Sequence, residues 1–138
     1  MVDCPQLAPE SDISSSSAMW VVFSDDTDIR FLKMLKKGYR HCFIIMMQGE
    51  RWILIDPRAD KTDIRLLPHP VSFNFPRYFI QQGKTVIKAR GIETPSKIMP
   101  VFPCSCVETV KRVLGIHRRW VITPYQLYKS LIKIQTKG

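Results

Sequence analysis

This sequence is short of several things, and each shortage excludes a class of protein. No apolar run approaches the roughly 20 residues needed to span a bilayer. The longest, Cys42 to Met47, has the length of a core strand. The first residues show no basic start followed by an apolar stretch, so no secretory leader is expected and synthesis is read as cytoplasmic. The six glycines form no phosphate-cradling loop, and the 12 acidic residues form no magnesium or calcium cluster, so no cofactor is expected. Four cysteines occur, at 4, 42, 104 and 106, in a chain that is neither small nor loop-rich. They read as free thiols of a reducing compartment. His41, Cys42, Cys104 and Cys106 are zinc-ligand types, but their spacing matches none of the usual C-x₂-C pairs, so no metal is expected. No internal repeat is present.

What remains is ordinary globular material with a basic excess. The chain of 138 residues is long enough for one domain with a real core, and a hydrophobic content of 45% supports one. Lys and Arg number 21 against 12 Asp and Glu, a net charge of +9. The basic residues tilt toward the end of the chain, with Lys111, Arg112, Arg118, Arg119, Lys129, Lys133 and Lys137. Such a surface attracts nucleic acid, acidic membrane or an anionic cell-wall polymer without choosing among them.

Residues 1–18 are polar, with prolines and the run Ser14-Ser15-Ser16-Ser17, and read as a flexible arm. Residues 19–138 read as a single domain. Met19 to Phe23 is a short strand. Asp25, Asp26 and Thr27 are N-cap candidates for a helix through Ile29, Phe31, Leu32 and Leu35, which Gly38 would stop. His41–Met47 and Arg51–Pro57 form the clearest hairpin, apolar on both faces and hence covered on both. Thr62–Leu67 reads as a strand, Arg77–Gln82 as a short helix or strand, and Thr85–Arg90 as a strand. Pro95, Pro100 and Pro103 mark an extended connection. Trp120-Val121-Ile122 reads as a short extended piece. Thr123-Pro124-Tyr125-Gln126 combines an N-cap, a proline at N1 and a glutamine at N3, opening a last helix with Leu127, Tyr128, Leu131 and Ile132 on its apolar face.

The stretch Cys104-Ser105-Cys106-Val107-Glu108 carries the most chemistry. Ser105 and Glu108 have capping-box spacing, which makes Ser105 the N-cap and puts Cys106 at N1. Unpaired backbone N–H groups and the helix dipole favour an anion there, so the thiol is pushed toward thiolate, the nucleophilic form. Cys104 precedes the cap and lacks that environment. Glu108 works against ionisation of the thiol. A cysteine that is only a small buried hydrophobe would have the same composition.

Parity adds a third residue. In a two-residue hairpin, paired positions sum to an odd number. If Gln48-Gly49 is the loop, His41 lies opposite Asp56. If Gly49-Glu50 is the loop, Asp56 is two residues away on the same face. Either register puts both side chains on one side of the sheet, where a carboxylate can fix the tautomer of an imidazole. Asp56 before Pro57 also suits a plain strand end. His69 and His117 sit in proline-rich or basic loop contexts.

Cys106-Val107-Glu108-Thr109-Val110, then Leu114-Gly115 and Thr123-Pro124-Tyr125-Gln126-Leu127, resembles the C-S-E-L-V … l-G … t-P-x-x-L pattern of the NlpC-type papain-like cysteine hydrolases. His41 precedes Cys106 here, an order similar to the circularly permuted branch with the YiiX-like proteins and the lecithin:retinol acyltransferase group. The resemblance spans about residues 19–134, with motif matches at 39–56 and 104–127. It implies an α+β papain-like fold, an antiparallel sheet with the cysteine helix packed on it. It also implies amide, ester or thioester chemistry, with Cys106 as nucleophile, His41 as base and Asp56 as the polar third residue. Val107 replaces the family serine, and the third residue of this branch is often a histidine. The expected function is a thiol hydrolase acting on a peptide or acyl substrate, such as a cell-wall crosslink opened by a bacteriophage particle. A non-catalytic alternative keeps the scaffold as a docking part of a virion or nucleic-acid complex, held by the basic surface and by the arm threading onto virion neighbours.

Overall fold

The computed structural model describes residues 18–26, 34–58, 61–90, 106–118 and 120–137. The expected arm at 1–18 lies outside them except for Ala18, which opens a strand instead, and so do most of the helix expected after Asp26 and the 91–105 connection with Cys104 and Ser105. The described residues form an α+β fold. Its elements are β1 (Ala18–Ser24), β2 (His41–Gln48), β3 (Arg51–Pro57), β4 (Thr62–Leu67), α1 (Phe75–Gln81), β5 (Thr85–Ala89), α2 (Cys106–Leu114) and α3 (Pro124–Thr136).

The strands make one antiparallel sheet in the order β4-β3-β2-β1-β5. Strand alternation sends side chains to two faces, and both are covered. On one face Val21, Phe23, Cys42 and Ile44 pack with Val107, Val110, Leu114, Leu127 and Leu131 of α2 and α3. On the other, Val22, Phe43, Ile45 and Trp52 pack with Phe75. The chain must cross from edge strand β4 to edge strand β5, and that crossover supplies the second cover. Its aromatics interlock with the sheet, Phe75 lying 5.2 Å from Trp52 and Phe79 lying 5.3 Å from Phe43. His69 joins this cluster, 4.9 Å from Phe73 and from Phe75.

The element ends follow local chemistry. Gln48 pairs with Arg51, so Gly49-Glu50 is the hairpin loop, and Gly49 takes a φ of +59° that suits a residue without Cβ. Asn74 caps α1 by accepting from the Arg77 N–H at 3.0 Å. Thr123 and Gln126 complete the capping box of α3. Residues Val121 and Ile122 belong to no strand, because the backbone N–H of Ile122 is taken by the Gln126 side chain at 2.9 Å. The helix for which Asp25 and Asp26 are cap candidates lies outside the described residues, but both carboxylates make contacts within them. The Asp25 carboxylate accepts from the Gly38 N–H, and Asp26 pairs with Lys84 at 2.7 Å.

One basic residue leaves the expected surface. Lys111 is buried, its ammonium 2.5 Å from Glu108 and 3.0 Å from the Val121 carbonyl. The apolar positions of α2 place residues 107, 110, 111 and 114 on the sheet side, so the lysine at 111 is carried inside. No helix of the described residues is long and apolar enough to cross a membrane.

An α-helix of nine residues is marginal by itself. Burial of Val107, Val110 and Leu114, at about 1.5–3 kcal/mol for each fully buried side chain, is what holds α2 in place. The Glu108–Lys111 pair makes that docking sensitive to charge. Glu108→Ala strands an ammonium in the core and should cost about 3–5 kcal/mol in urea unfolding. The double change Glu108→Leu with Lys111→Met should recover most of the loss.

Candidate active site

Three elements meet at the start of β2. His41 is its first residue, Asp56 is the last residue but one of β3, and Cys106 is the first residue of α2. The hairpin register pairs Ile44 with Ile55, so Asp56 falls two positions from the site opposite His41, on the same face. The two side chains meet there, with His41 Nε2 2.7 Å from Asp56 Oδ1. The other carboxylate oxygen lies 3.5 Å from Arg58 Nε. Asp56 is thereby held between an imidazole and a guanidinium. With Nε2 turned to Asp56, Nδ1 is the ring nitrogen left for the thiol, and His41 and Cys106 are close enough that each shifts the ionisation of the other.

The electrostatics favour a separated proton. The Cys106 thiol is lowered from 9.0 to about 5. The largest influence is a hydrogen bond from the Cys42 side chain. Burial opposes the shift, and the hydrogen bond and charge of His41 and the Cys42 backbone N–H reinforce it. His41 is raised above 6.5. Burial is its largest single influence and pulls downward, but the hydrogen bonds and negative charges of Cys106 and Asp56 together outweigh it. Cys42 is held well above the ordinary thiol range, first by complete burial and then by its neighbour Cys106. One thiol is therefore poised as an anion and the other stays neutral.

The residues expected to act are gathered, with additions. Glu108 does not stand alone beside the thiol, because its carboxylate is turned to Lys111. Cys42 and Arg58 were not expected at the site. Arg58 was legible from the same parity as Asp56, since position 58 lies opposite 41 when Gly49-Glu50 is the loop. Cys42 left no such signal, as its contact depends on how α2 docks. Ser24, paired with His41 across β1 and β2, buries a hydroxyl that has no hydrogen-bond partner among the described residues. His69 is engaged in the aromatic cluster, and His117 lies beyond the far end of α2. Cys104 lies outside the described residues. Among the described residues no group of three or more His, Cys, Asp or Glu could hold a metal ion.

Comparison of the chain with protein-family models, with curated proteins and with solved structures finds no match.

The arrangement can form a thiolate–imidazolium pair. The sign is set by the two shifts: Cys106 is ionised above about pH 5, and His41 keeps its proton to above its ordinary 6.5. Iodoacetamide labelling of the folded protein, read by peptide mass spectrometry, should modify Cys106 with a midpoint near pH 5 and leave Cys42 unmodified. His41→Ala should move that midpoint upward. A Cys106 that labels no faster than Cys42 would refute the assignment.

Proposed function

We propose that this protein is a thiol hydrolase of the circularly permuted papain-like, NlpC-type kind, cleaving an amide or ester bond with Cys106, His41 and Asp56. One observation carries the proposal: a sulfur in a thiolate-favouring environment lies within the electrostatic reach of an imidazole whose far nitrogen a carboxylate grips. The antiparallel sheet, the cysteine helix packed on it and the order of histidine strand before cysteine helix support the permuted papain-like assignment.

The steps follow from the charges. The Cys106 thiolate attacks the carbonyl carbon of the substrate, and the carbonyl oxygen takes the negative charge. The backbone N–H of Cys106, at the first position of α2, is a donor for that oxygen. His41 as imidazolium gives its proton to the leaving amine or alkoxide while the C–N or C–O bond breaks. An acyl thioester on Cys106 remains. His41, now neutral, takes a proton from water, the hydroxide adds to the thioester carbonyl, and the acid leaves with the thiolate restored. Asp56 stabilises the imidazolium that appears in each half-reaction. The net charge of +9 favours an anionic surface. The substrate proposed is a peptide crosslink of bacterial cell wall, one of the anionic surfaces compatible with that charge, with a bacteriophage particle as its setting.

The purified protein should be incubated with cell-wall fragments and with acyl esters beside Cys106→Ala. Product from the native chain alone is expected, and His41→Ala should lose about 10²–10⁴-fold in rate. The rate should rise through pH 5 as the thiolate forms and fall at higher pH as His41 gives up its proton, two apparent values that belong to the pair. Equal outcomes for the native chain and Cys106→Ala would remove the enzyme and leave a non-catalytic docking role.

A further inference from the structure

After Glu108 the sequence carries basic residues and no further acidic one. Arg112, Arg118, Lys129, Lys133 and Lys137 are exposed, and among the described residues none of them pairs with a carboxylate. Two large apolar side chains stand out from this basic part: Trp120 is 90% exposed, and Ile122 is 55% exposed. We propose that the loop joining α2 to α3 is a docking surface for an anionic lipid bilayer, with Trp120 and Ile122 entering the headgroup region and Arg118 meeting lipid phosphate. This surface is independent of the chemistry at Cys106.

The backbone that presents the two side chains is held on several sides. Ile116 and Val121 are buried and pin the loop to the core beneath the helices. The Val121 N–H donates to the Arg118 carbonyl at 3.3 Å and closes a turn. The Val121 carbonyl accepts from the Lys111 ammonium at 3.0 Å, and the Ile122 N–H donates to the Gln126 side chain at 2.9 Å. Val121 is buried while the residues on either side of it are exposed, so the indole and the isoleucine leave the core together. Tryptophan is among the more buried residue types on average. An indole held out on a fixed backbone forgoes that burial until a partner supplies it.

Charge and side-chain type together select the partner. A basic surface alone suits nucleic acid, acidic membrane or an anionic polymer. Single-stranded nucleic acid binds aromatic platforms on which bases stack, and the aliphatic Ile122 offers none. A hydrated polymer buries neither side chain. A bilayer takes both: an indole settles at the headgroup level, and an aliphatic side chain reaches the acyl boundary. Arginine matches lipid phosphate with its planar fork of donors. Shallow apolar insertion is weak by itself, and attraction of basic residues to anionic headgroups adds to it.

The test compares vesicles of phosphatidylcholine mixed with phosphatidylglycerol against phosphatidylcholine alone, using the full chain and variants confirmed folded by circular dichroism. Trp20 and Trp52 lie against each other with ring centroids 5.6 Å apart, so Trp120 is the tryptophan that reports a change of solvent. Anionic vesicles should shift the emission to the blue and carry the protein down on centrifugation, less so as salt is raised. Trp120→Ala should weaken co-sedimentation about tenfold. Arg118→Gln should weaken it about fivefold. Ile64→Ser, at a position 68% exposed on β4, should leave it unchanged. Equal binding by the native chain and Trp120→Ala would overturn the proposal, as would no response to anionic vesicles. Neutral vesicles binding as well as anionic ones would overturn it too, and so would an oligonucleotide that binds in preference to either.

Discussion

The site exists only while α2 lies on β2. Cys106 is on one element and its partners on two others, so no local sequence preference holds the sulfur in place. The docking is fixed in two ways. Val107, Val110 and Leu114 fix which side of the helix faces the sheet. Lys111 then fixes the helix against the following loop, because its ammonium must find both Glu108 and the Val121 carbonyl. A buried ammonium tolerates few alternative settings. Rotating α2 by one residue, about 100°, would leave that charge unpaired and swing the sulfur away from β2. The loop that receives Lys111 leads directly into the capped start of α3, so the last helix is part of the same clamp.

Sheet geometry explains why the site sits at a strand end. Adjacent residues of a strand face opposite ways, and His41 and Cys42 are adjacent. In mid-sheet no single sulfur could meet both. At the first residue of β2 the imidazole is free of a preceding strand residue, and the thiol at the mouth of α2 can touch both neighbours. The constraint also separates the duties of the two faces. The crossover with Phe73, Phe75 and Phe79 seals the face that carries Phe43 and Trp52, and the helices seal the other. The reactive groups occupy the seam between them.

Much of this was legible because it follows from periodicity. The meeting of His41 with Asp56 was readable without knowing the loop, since both two-residue registers preserve parity. The start of α2 at Cys106 and the cap of α3 at Thr123 were readable because they rest on residues within one turn. The alternating apolar run of β2 announced a strand covered on both sides. What escaped notice depends on tertiary placement. Lys111 reads as surface in any list of charges, and only the rotation of α2 carries it inside. Cys42 reads as one more apolar strand residue until the helix start lands on it. The Asp25 carboxylate meets the Gly38 N–H on the approach to β2, a contact between residues 13 apart that no local pattern announces.

The charges of the site form an alternating chain. Cys106 as thiolate, His41 as imidazolium, the Asp56 carboxylate and the Arg58 guanidinium follow one another, each beside an opposite. Alternation lets a partly buried site hold charged groups, because each neighbour offsets part of the desolvation of the next. The links are unequal. His41 and Asp56 are only 15% and 18% exposed and 2.7 Å apart, while Arg58 is 49% exposed and its contact is screened by water. The outer end therefore steadies the geometry of the carboxylate more than it sets its energy.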